Sequence, residues 1–373
     1  MNKKIKKAML IILSVIAVLA IAVLIFINQP RFGKTPSKER KARVENSPNY
    51  HDGKFQNQHE TPQLTSGKGY IATMADFLFK KKERLSPDQD LPAIKTDLHS
   101  FVPDEDVLVW FGHSSYYMQV DGKRFLVDPV LSGAASPVSF VNKPFKGTDI
   151  YRPEDIPAID YLIISHDHWD HLDYNTIMKL KDRVGKVICG LGVGEHFEYW
   201  GFPVENIIEL DWNEDAILES GFSVFCLPAR HFSGRGLSPN QSLWASYLLQ
   251  TPTMKIYIGG DSGYDTHYKL IGERFGVVDL AILENGQYDQ SWKYIHMMPE
   301  EVVDAAKDLK ATRLFAVHNS KYALGNHAWD DPLNRVSKKS EEESVNLITP
   351  QIGEIVNLKD SAQVFTKWWQ GLE

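Results

Sequence analysis

Polar and apolar positions divide the chain into three unequal parts. The first is one apolar run from Ala8 to Ile27, AMLIILSVIAVLAIAVLIFI, 20 residues in which Ser14 is the only polar side chain. At about 1.5 Å per residue, a helix of that length spans roughly 30 Å, the thickness of a bilayer core. Residues 28–68 are polar, rich in Pro, Asn, Gln, Lys and Ser, and follow no period of 2 or 3.6, which predicts a tether or a surface segment. From about Tyr70 onward, short apolar runs alternate with helical stretches. Strands are predicted over Val107–Phe111, Tyr116–Val120, Arg124–Val127, Tyr161–Ile164, Lys186–Cys189, Phe222–Leu227, Ser246–Leu249, Lys255–Ile258, Leu280–Leu283 and Leu314–Val317. Asp121-Gly122 separates the second and third runs and predicts a hairpin. Helices are predicted over Tyr174–Lys181, Val193–Trp200, Thr266–Phe275 and Pro299–Leu309, the last opening on Pro299, Glu300 and Glu301, which suit a helix N-terminus. Many strands with interspersed helices predict an α/β fold built as an αββα sandwich. The expected organisation is a transmembrane helix in 1–30, a polar linker in 31–68 and one domain over 69–373.

Charge sharpens this division. The net charge is −7, yet residues 1–43 hold ten Lys/Arg against the single acid Glu39, leaving the remainder at −16. A nucleic-acid substrate would favour a basic face on the domain, so that class is excluded. The basic end flanks the apolar run and points to an anionic membrane surface. The apolar run exceeds the roughly 7–15 residues of a cleaved signal core. Phe26, Ile27, Asn28, Gln29 and Pro30 offer no small-x-small cleavage site, so an uncleaved anchor is expected. Four lysines precede the span and six Lys/Arg follow it, which leaves the positive-inside rule without a clean vote. A short basic N-terminus before one apolar segment is the signal-anchor layout and places the domain outside the cytoplasm. Cys189 and Cys226 sit in apolar runs and read as buried free thiols, with no C-x-x-C pair.

The chemistry concentrates in Ser165-His166-Asp167-His168-Trp169-Asp170-His171-Leu172-Asp173, directly after a predicted strand. A divalent metal accepts imidazole nitrogens and carboxylate oxygens directly. His166 and His168 alternate in an extended segment and can point the same way, while Asp170 and His171 follow the turn and can reach a second point. Three later strands each end in a further donor: His231 after Phe222–Leu227, Asp261 after Lys255–Ile258, and His318 after Leu314–Val317. Each alone would read as a structural or surface residue; with the first motif they read as a metal site.

The order H-x-H-x-D-H followed by His, Asp and His resembles the metallo-β-lactamase superfamily. Within it, the chain resembles the bacterial relatives of N-acyl-phosphatidylethanolamine-hydrolysing phospholipase D. The similar segments are Trp110-Phe111-Gly112-His113-Ser114-Ser115, Val127-Asp128-Pro129-Val130, the metal motif, Pro228-Ala229-Arg230-His231-Phe232-Ser233-Gly234-Arg235, and His296-Met297-Met298-Pro299-Glu300-Glu301. The likeness runs from about Ala72 to Asp331. It implies a metallo-β-lactamase-like sandwich with two metals, one held by His166, His168 and His231, the other by Asp170, His171 and His318, with Asp261 bridging. Two segments depart from the subfamily: His318-Asn319-Ser320 stands where His-Trp-Gly is usual, and Leu283-Glu284-Asn285-Gly286-Gln287-Tyr288 replaces a more apolar Leu-Pro-Ile-Gly-Ala-Tyr.

A water shared by two metals has its pKa lowered from about 15.7 towards 7, a nucleophile at neutral pH. The expected reaction is hydrolysis of a phosphodiester in a membrane phospholipid, with Asp170, Asp261 and His296 taken as the catalytic set. Zinc is the default metal for these donors, with iron or manganese fitting similar ligands. Arg235 is a candidate for binding phosphate. His113 and Asp128 are candidates for orienting ligands from behind. His51, His59, His99, His196, His267 and His327 lack such context and are expected at the surface, while Trp169, Trp244, Trp292 and Trp329 suit either a lipid cleft or core packing. The same ligands would also serve a lactone or cyclic-phosphodiester hydrolase. A non-catalytic membrane metal-binding protein is the reading from another class, and seven filled ligand positions argue against it.

Overall fold

A computed structural model describes residues 3–372 apart from 66, 68, 70, 71, 73, 74 and 76–81. The expected start of the domain, at Tyr70, lies outside the described residues. The strands are β1 (Tyr50–His51), β2 (Lys54–Phe55), β3 (Val107–Trp110), β4 (Tyr116–Val120), β5 (Lys123–Val127), β6 (Ile159–Ile164), β7 (Val184–Gly190), β8 (Ile207–Leu210), β9 (Asp215–Glu219), β10 (Phe222–Leu227), β11 (Ser246–Gln250), β12 (Lys255–Ile258), β13 (Leu280–Glu284), β14 (Leu314–Val317), β15 (Leu347–Ile348) and β16 (Ile355–Asn357). Among the described residues, the helices of four residues or more are α1 (Lys3–Ile27), α2 (Lys38–Glu45), α3 (Tyr174–Leu180), α4 (Gly194–Tyr199), α5 (His267–Phe275), α6 (Pro299–Asp308) and α7 (Asp331–Glu343). All ten strands and four helices expected of the domain are present, with ends within two residues of the sequence reading.

Two seven-stranded sheets carry the domain, ordered β16-β3-β4-β5-β6-β7-β8 and β15-β14-β13-β12-β11-β10-β9. Side-chain alternation explains why they stack. Leu108, Trp110, Met118, Phe125 and Ile163 of the first sheet and Val224, Tyr247, Leu249, Ile256 and Phe315 of the second share one core between the sheets. The intervening positions Val109, Tyr117, Leu126 and Leu162 face the other way and are covered by Ile177 and Leu180 of α3 and Phe197 of α4. Leu248, Tyr257, Ala281 and Leu283 likewise meet Ile271 of α5, Val302 and Val303 of α6 and Val336 of α7. The result is the αββα order. Between β4 and β5, Asp121 and Gly122 both take positive φ, 48° and 78°, the two-residue turn their identity specifies. Cys189 and Cys226 are buried and unpaired.

Residues 28–64, read from their composition as a tether or a surface segment, are the latter in the structure and lie along the domain. Arg40 meets Glu195, Glu198 and Glu209 at 2.8, 2.7 and 2.7 Å. Val44 and Phe55 are 2% and 0% exposed, and Asn57 Nδ2 donates to His231 O at 2.7 Å. Composition is silent on this because the polar side chains find partners more than 100 residues away. Replacing Arg40 with Met leaves the nearly buried Glu195 and Glu209 uncompensated, at a cost of about 3 kcal/mol. The expected outcome is faster backbone hydrogen exchange across 37–57 with the sheets unchanged; unaltered protection of that segment would refute the docking role of Arg40.

Candidate metal centre

The first sheet delivers the motif at the end of β6. Asp128, just past β5, accepts from Ser165 N and Oγ at 2.8 and 2.6 Å and pins the start of the turn. His171 N and Leu172 N both donate to His168 O, at 3.1 and 2.8 Å. That closes the loop and leaves His168, Trp169 and Asp170 half-buried at its rim. The second sheet brings His231, Asp261 and His318 to the same place from the ends of β10, β12 and β14. Gly260 makes the approach possible: a Cβ there would lie 2.7 Å from Ser165 Cβ, and its φ is +59°.

The donors form two adjoining groups. His168 Nδ1 lies 2.8 Å from His166 Nε2 and 3.3 Å from His231 Nε2. Asp170 Oδ2 lies 3.5 Å from His171 Nε2 and 3.3 Å from His318 Nε2. Asp261 Oδ2 stands between the groups, 3.3 Å from both His171 and His318 Nε2, 3.7 Å from His231 Nε2 and 3.9 Å from His166 Nε2. Donors on a tetrahedral ion with bonds near 2.0–2.1 Å are about 3.3 Å apart. His171 Nε2 and Asp261 Oδ1 are buried without a hydrogen-bond partner. The donor chemistry, the spacing and these orphaned atoms fit divalent metal binding.

The backs of the imidazoles are held as well. His231 Nδ1 donates to Ile295 O at 2.8 Å, and His171 Nδ1 lies 2.8 Å from Asp128 Oδ2. His318 Nδ1 faces Glu284 Oε2 at 3.3 Å. Each contact turns Nε2 inward. His113 Nε2 sits 2.9 Å from Asp170 Oδ2. His113 and His318 both take left-handed φ, 54° and 66°, and their segments are joined by backbone bonds, His318 N to His113 O at 2.9 Å and His113 N to Asn319 O at 3.0 Å. Left-handed histidines cost of order 1–3 kcal/mol each and persist where the surroundings over-determine them.

The electrostatics separate the two groups. Burial holds His166 and His231 well below the usual imidazole range, and neighbouring histidines add to it. Burial also opposes charge on His171 and His318, but carboxylates led by Asp261 overcome it. His318 is thereby pushed up to about 10, and His171 well above its ordinary value. For Asp170 and Asp261 burial acts upward, and the surrounding imidazoles, His171 foremost, outweigh it and hold both carboxyls well below the usual range.

Three residues have roles that residue type alone did not give. Arg235, expected to bind phosphate, is 4% exposed and donates to the carbonyls of Asp167 and Leu172 at 2.8 and 2.6 Å and to Arg31 O at 2.8 Å. Its guanidinium lies under the Trp169 ring at 4.0 Å, so it braces the motif loop rather than facing substrate. His196, expected at the surface, is 6% exposed and holds Asp167 Oδ2 at 3.1 Å; His267 is 4% exposed. Glu284, which the sequence marked only as a departure, is fully buried and faces His296 Nδ1 at 3.1 Å as well as His318. A carboxylate inside the apolar run Leu280–Glu284 was the signal that could have found it.

A cleft of about 360 Å³ opens over the donors, walled by Leu64, Phe232, Trp292, Ile295 and Leu324, with His296 beside His231 and His318. Of the four tryptophans that suited either a cleft or the core, Trp292 is on the cleft, Trp244 and Trp329 are in the core, and Trp169 is half-buried on the motif loop.

Sandwich, strand-end donors and cleft together define a metal-dependent hydrolase of the metallo-β-lactamase fold. The chain belongs to the beta-lactamase superfamily domain family, whose sequence model matches residues 123–319. It is 35% identical over 334 residues to an uncharacterized protein of Mycobacterium tuberculosis, covering 88% of this chain and 89% of that one. It is 29% identical over 317 residues to N-acyl-phosphatidylethanolamine-hydrolyzing phospholipase D 1 of Caenorhabditis elegans, covering 76% of this chain and 88% of that protein. Among solved structures, Igni18, a metallo hydrolase from Ignicoccus hospitalis, superposes with a TM-score of 0.54 at 21% identity, over 67% of this chain and 97% of that one, a likeness of fold.

Substituting Glu284 with Gln keeps its volume and frees the Nδ1 sides of His318 and His296. Metal affinity is expected to fall by roughly 10–100-fold with thermal unfolding little changed, read by equilibrium dialysis against a chelator. An unchanged affinity would show that Glu284 does not orient His318. With carboxylates holding His318 up at about 10, a metal ion bound at its Nε2 would have to displace a proton, so binding is expected to release protons at neutral pH and to strengthen as pH rises. Calorimetry in buffers of different ionisation enthalpy should count that release; zero protons at pH 7 would contradict it.

Proposed function

We propose that this chain is a membrane-anchored phosphodiesterase that hydrolyses a phospholipid, releasing phosphatidic acid and an amine-bearing head group. The observation that carries this reading is the single Asp261 oxygen reaching imidazoles of both donor groups. In this reading His166, His168 and His231 hold one metal and Asp170, His171 and His318 the other, with Asp261 shared and zinc the preferred ion. The chemistry such a pair supplies is acidification of a water and neutralisation of charge on a phosphoryl oxygen.

The chain's own residues do the rest. Asp261 and Asp170 bring negative charge to a buried centre, which limits the net charge that the phosphate must face. Glu284 takes Nδ1 of His296, so Nε2 is the atom left for the cleft, able to meet a phosphoryl oxygen or pass a proton to the leaving alcohol. The apolar cleft walls exclude water around the ester. The cleft volume suits a head group and glycerol phosphate, with acyl chains remaining in the bilayer. Similarity to the Caenorhabditis elegans phospholipase D over most of both chains supports the substrate class. Helix α1 supports the membrane location: it is about 37 Å long, and its apolar side chains from Ala8 to Ile25 are exposed. We assign residues 1–30 as the anchor and place the domain on the outer side.

The small cleft also suits a second reading, a compact lactone or cyclic phosphodiester that would fit whole. The deciding assay is head-group release from phosphatidylethanolamine and its N-acylated form in vesicles carrying the full chain, with metal content measured in parallel. Two metals and lipid cleavage are expected, with turnover lowered at least about 1,000-fold in Asp261→Asn. Full activity in that variant would sink the scheme. Two metals without lipid turnover, but with opening of a lactone or cyclic phosphodiester, would move the assignment to the second reading.

A further inference from the structure

Phe140, Val141 and Leu237 are 76%, 40% and 82% exposed, although each sits on a loop closed by its own hydrogen bonds. Ala135 N donates to Asn142 O at 3.1 Å and Val141 N to Val138 O at 3.0 Å. Asn240 N donates to Ser233 O at 3.0 Å, and Ser233 N to Asn240 Oδ1 at 3.2 Å. Single exposed apolar side chains are ordinary, but several brought together on ordered loops mark an interaction site.

Both loops converge on the end of α1. Arg31 donates to Pro137 O at 2.7 Å, and Arg235 donates to Arg31 O at 2.8 Å. Ile27 and Phe32 share a crevice of about 190 Å³ with Leu237. Phe26 meets Phe32 edge-on at 5.2 Å, and Phe32 meets Trp169 of the metal motif edge-on at 5.0 Å. The apolar helix therefore ends against the domain, between the two tips. Neither 131–148 nor 232–241 contains a carboxylate, and the first carries the exposed Lys143 and Lys146.

We propose that these tips form a bilayer-docking face, with Phe140, Val141 and Leu237 entering the interfacial layer of an anionic phospholipid membrane beside α1 and Lys143 and Lys146 lying at its head groups. The proposal rests on reading α1 as a membrane anchor and adds that the domain lies on the lipid surface with the Trp169 loop on its membrane side. Apolar tips flanked by lysines at the foot of an apolar helix match lipid in both chemistry and position.

The test uses the full chain with single substitutions L19C, F140C, L237C and V364C. Cys189 and Cys226 are buried, so labelling is confined to the new site. Val364 is 89% exposed and serves as the reference. Each variant is labelled with an environment-sensitive fluorophore and reconstituted into phosphatidylcholine–phosphatidylglycerol vesicles containing spin-labelled lipid as quencher. The expected result is deep quenching at L19C and shallow quenching at F140C and L237C, several-fold stronger than at V364C. Quenching at L19C with none above the reference at F140C and L237C would overturn the docking face and leave the anchor standing. Absence of quenching at L19C would overturn both. Blue-shifted labels at F140C and L237C without lipid quenching would mean that a second copy of the chain covers the tips, and would also overturn the proposal.

Discussion

One carboxylate oxygen organises this molecule. Asp261 Oδ2 lies within 3.9 Å of four imidazole nitrogens, two on the first sheet and two on the second. Buried charge of this density is tolerable only when every member is paired or holds a cation. The surrounding architecture can be derived from that demand. Gly260 lets the β12 loop approach Ser165, and Asp128 and Glu284 occupy the backs of His171 and His318. The two left-handed histidines, His113 and His318, join the sheets through backbone bonds. The sandwich core fixes the separation of the sheets, and the centre sits where the ends of β6, β10, β12 and β14 meet across it.

This explains which parts of the molecule were legible in the sequence. Strands such as Tyr116–Val120 and Lys255–Ile258 are buried on both faces, so their apolar runs stand out whatever they pack against. Donors placed directly after such runs inherit that legibility, and the structure brings all seven together. Elements whose stability comes from distant partners were invisible. β8 contains Glu209, acceptable in a sheet because Arg40 reaches it from 169 residues earlier. α7 has the sequence DPLNRVSKKSEEE, with Leu333 and Val336 as its only large buried side chains, and it forms because α6 lies alongside. β16 is three residues long with one buried position.

The same logic accounts for Arg235 and Glu284. Residue type suggested phosphate binding for the arginine, but what an arginine does is decided by which acceptors surround it. Here three backbone carbonyls and the Trp169 ring take the whole guanidinium. Glu284 is the converse: its sequence context is apolar, and only folding shows that two histidines 12 and 34 residues away converge on one of its oxygens. A site's inner donors are thus readable from local spacing, whereas the groups that orient them are long-range and need the fold.

The N-terminal segment carries the argument furthest from composition. A flexible polar tether would let a hydrolase sample a wide shell above a membrane, with the cleft in any orientation. Residues 28–64 instead run along the domain, place Leu64 in the cleft wall and Asn57 against His231, and tie the foot of α1 to the metal-motif loop through Phe32. The segment therefore contributes to the site as well as connecting it to the helix. For the lipid substrate proposed above, a helix seated in the bilayer would make the encounter two-dimensional and the docked segment would set the orientation before substrate arrives, so less freedom would be lost on reaching the transition state. On that proposal the polar segment and the apolar helix belong to the catalytic apparatus, because the ester would lie at the boundary between water and hydrocarbon.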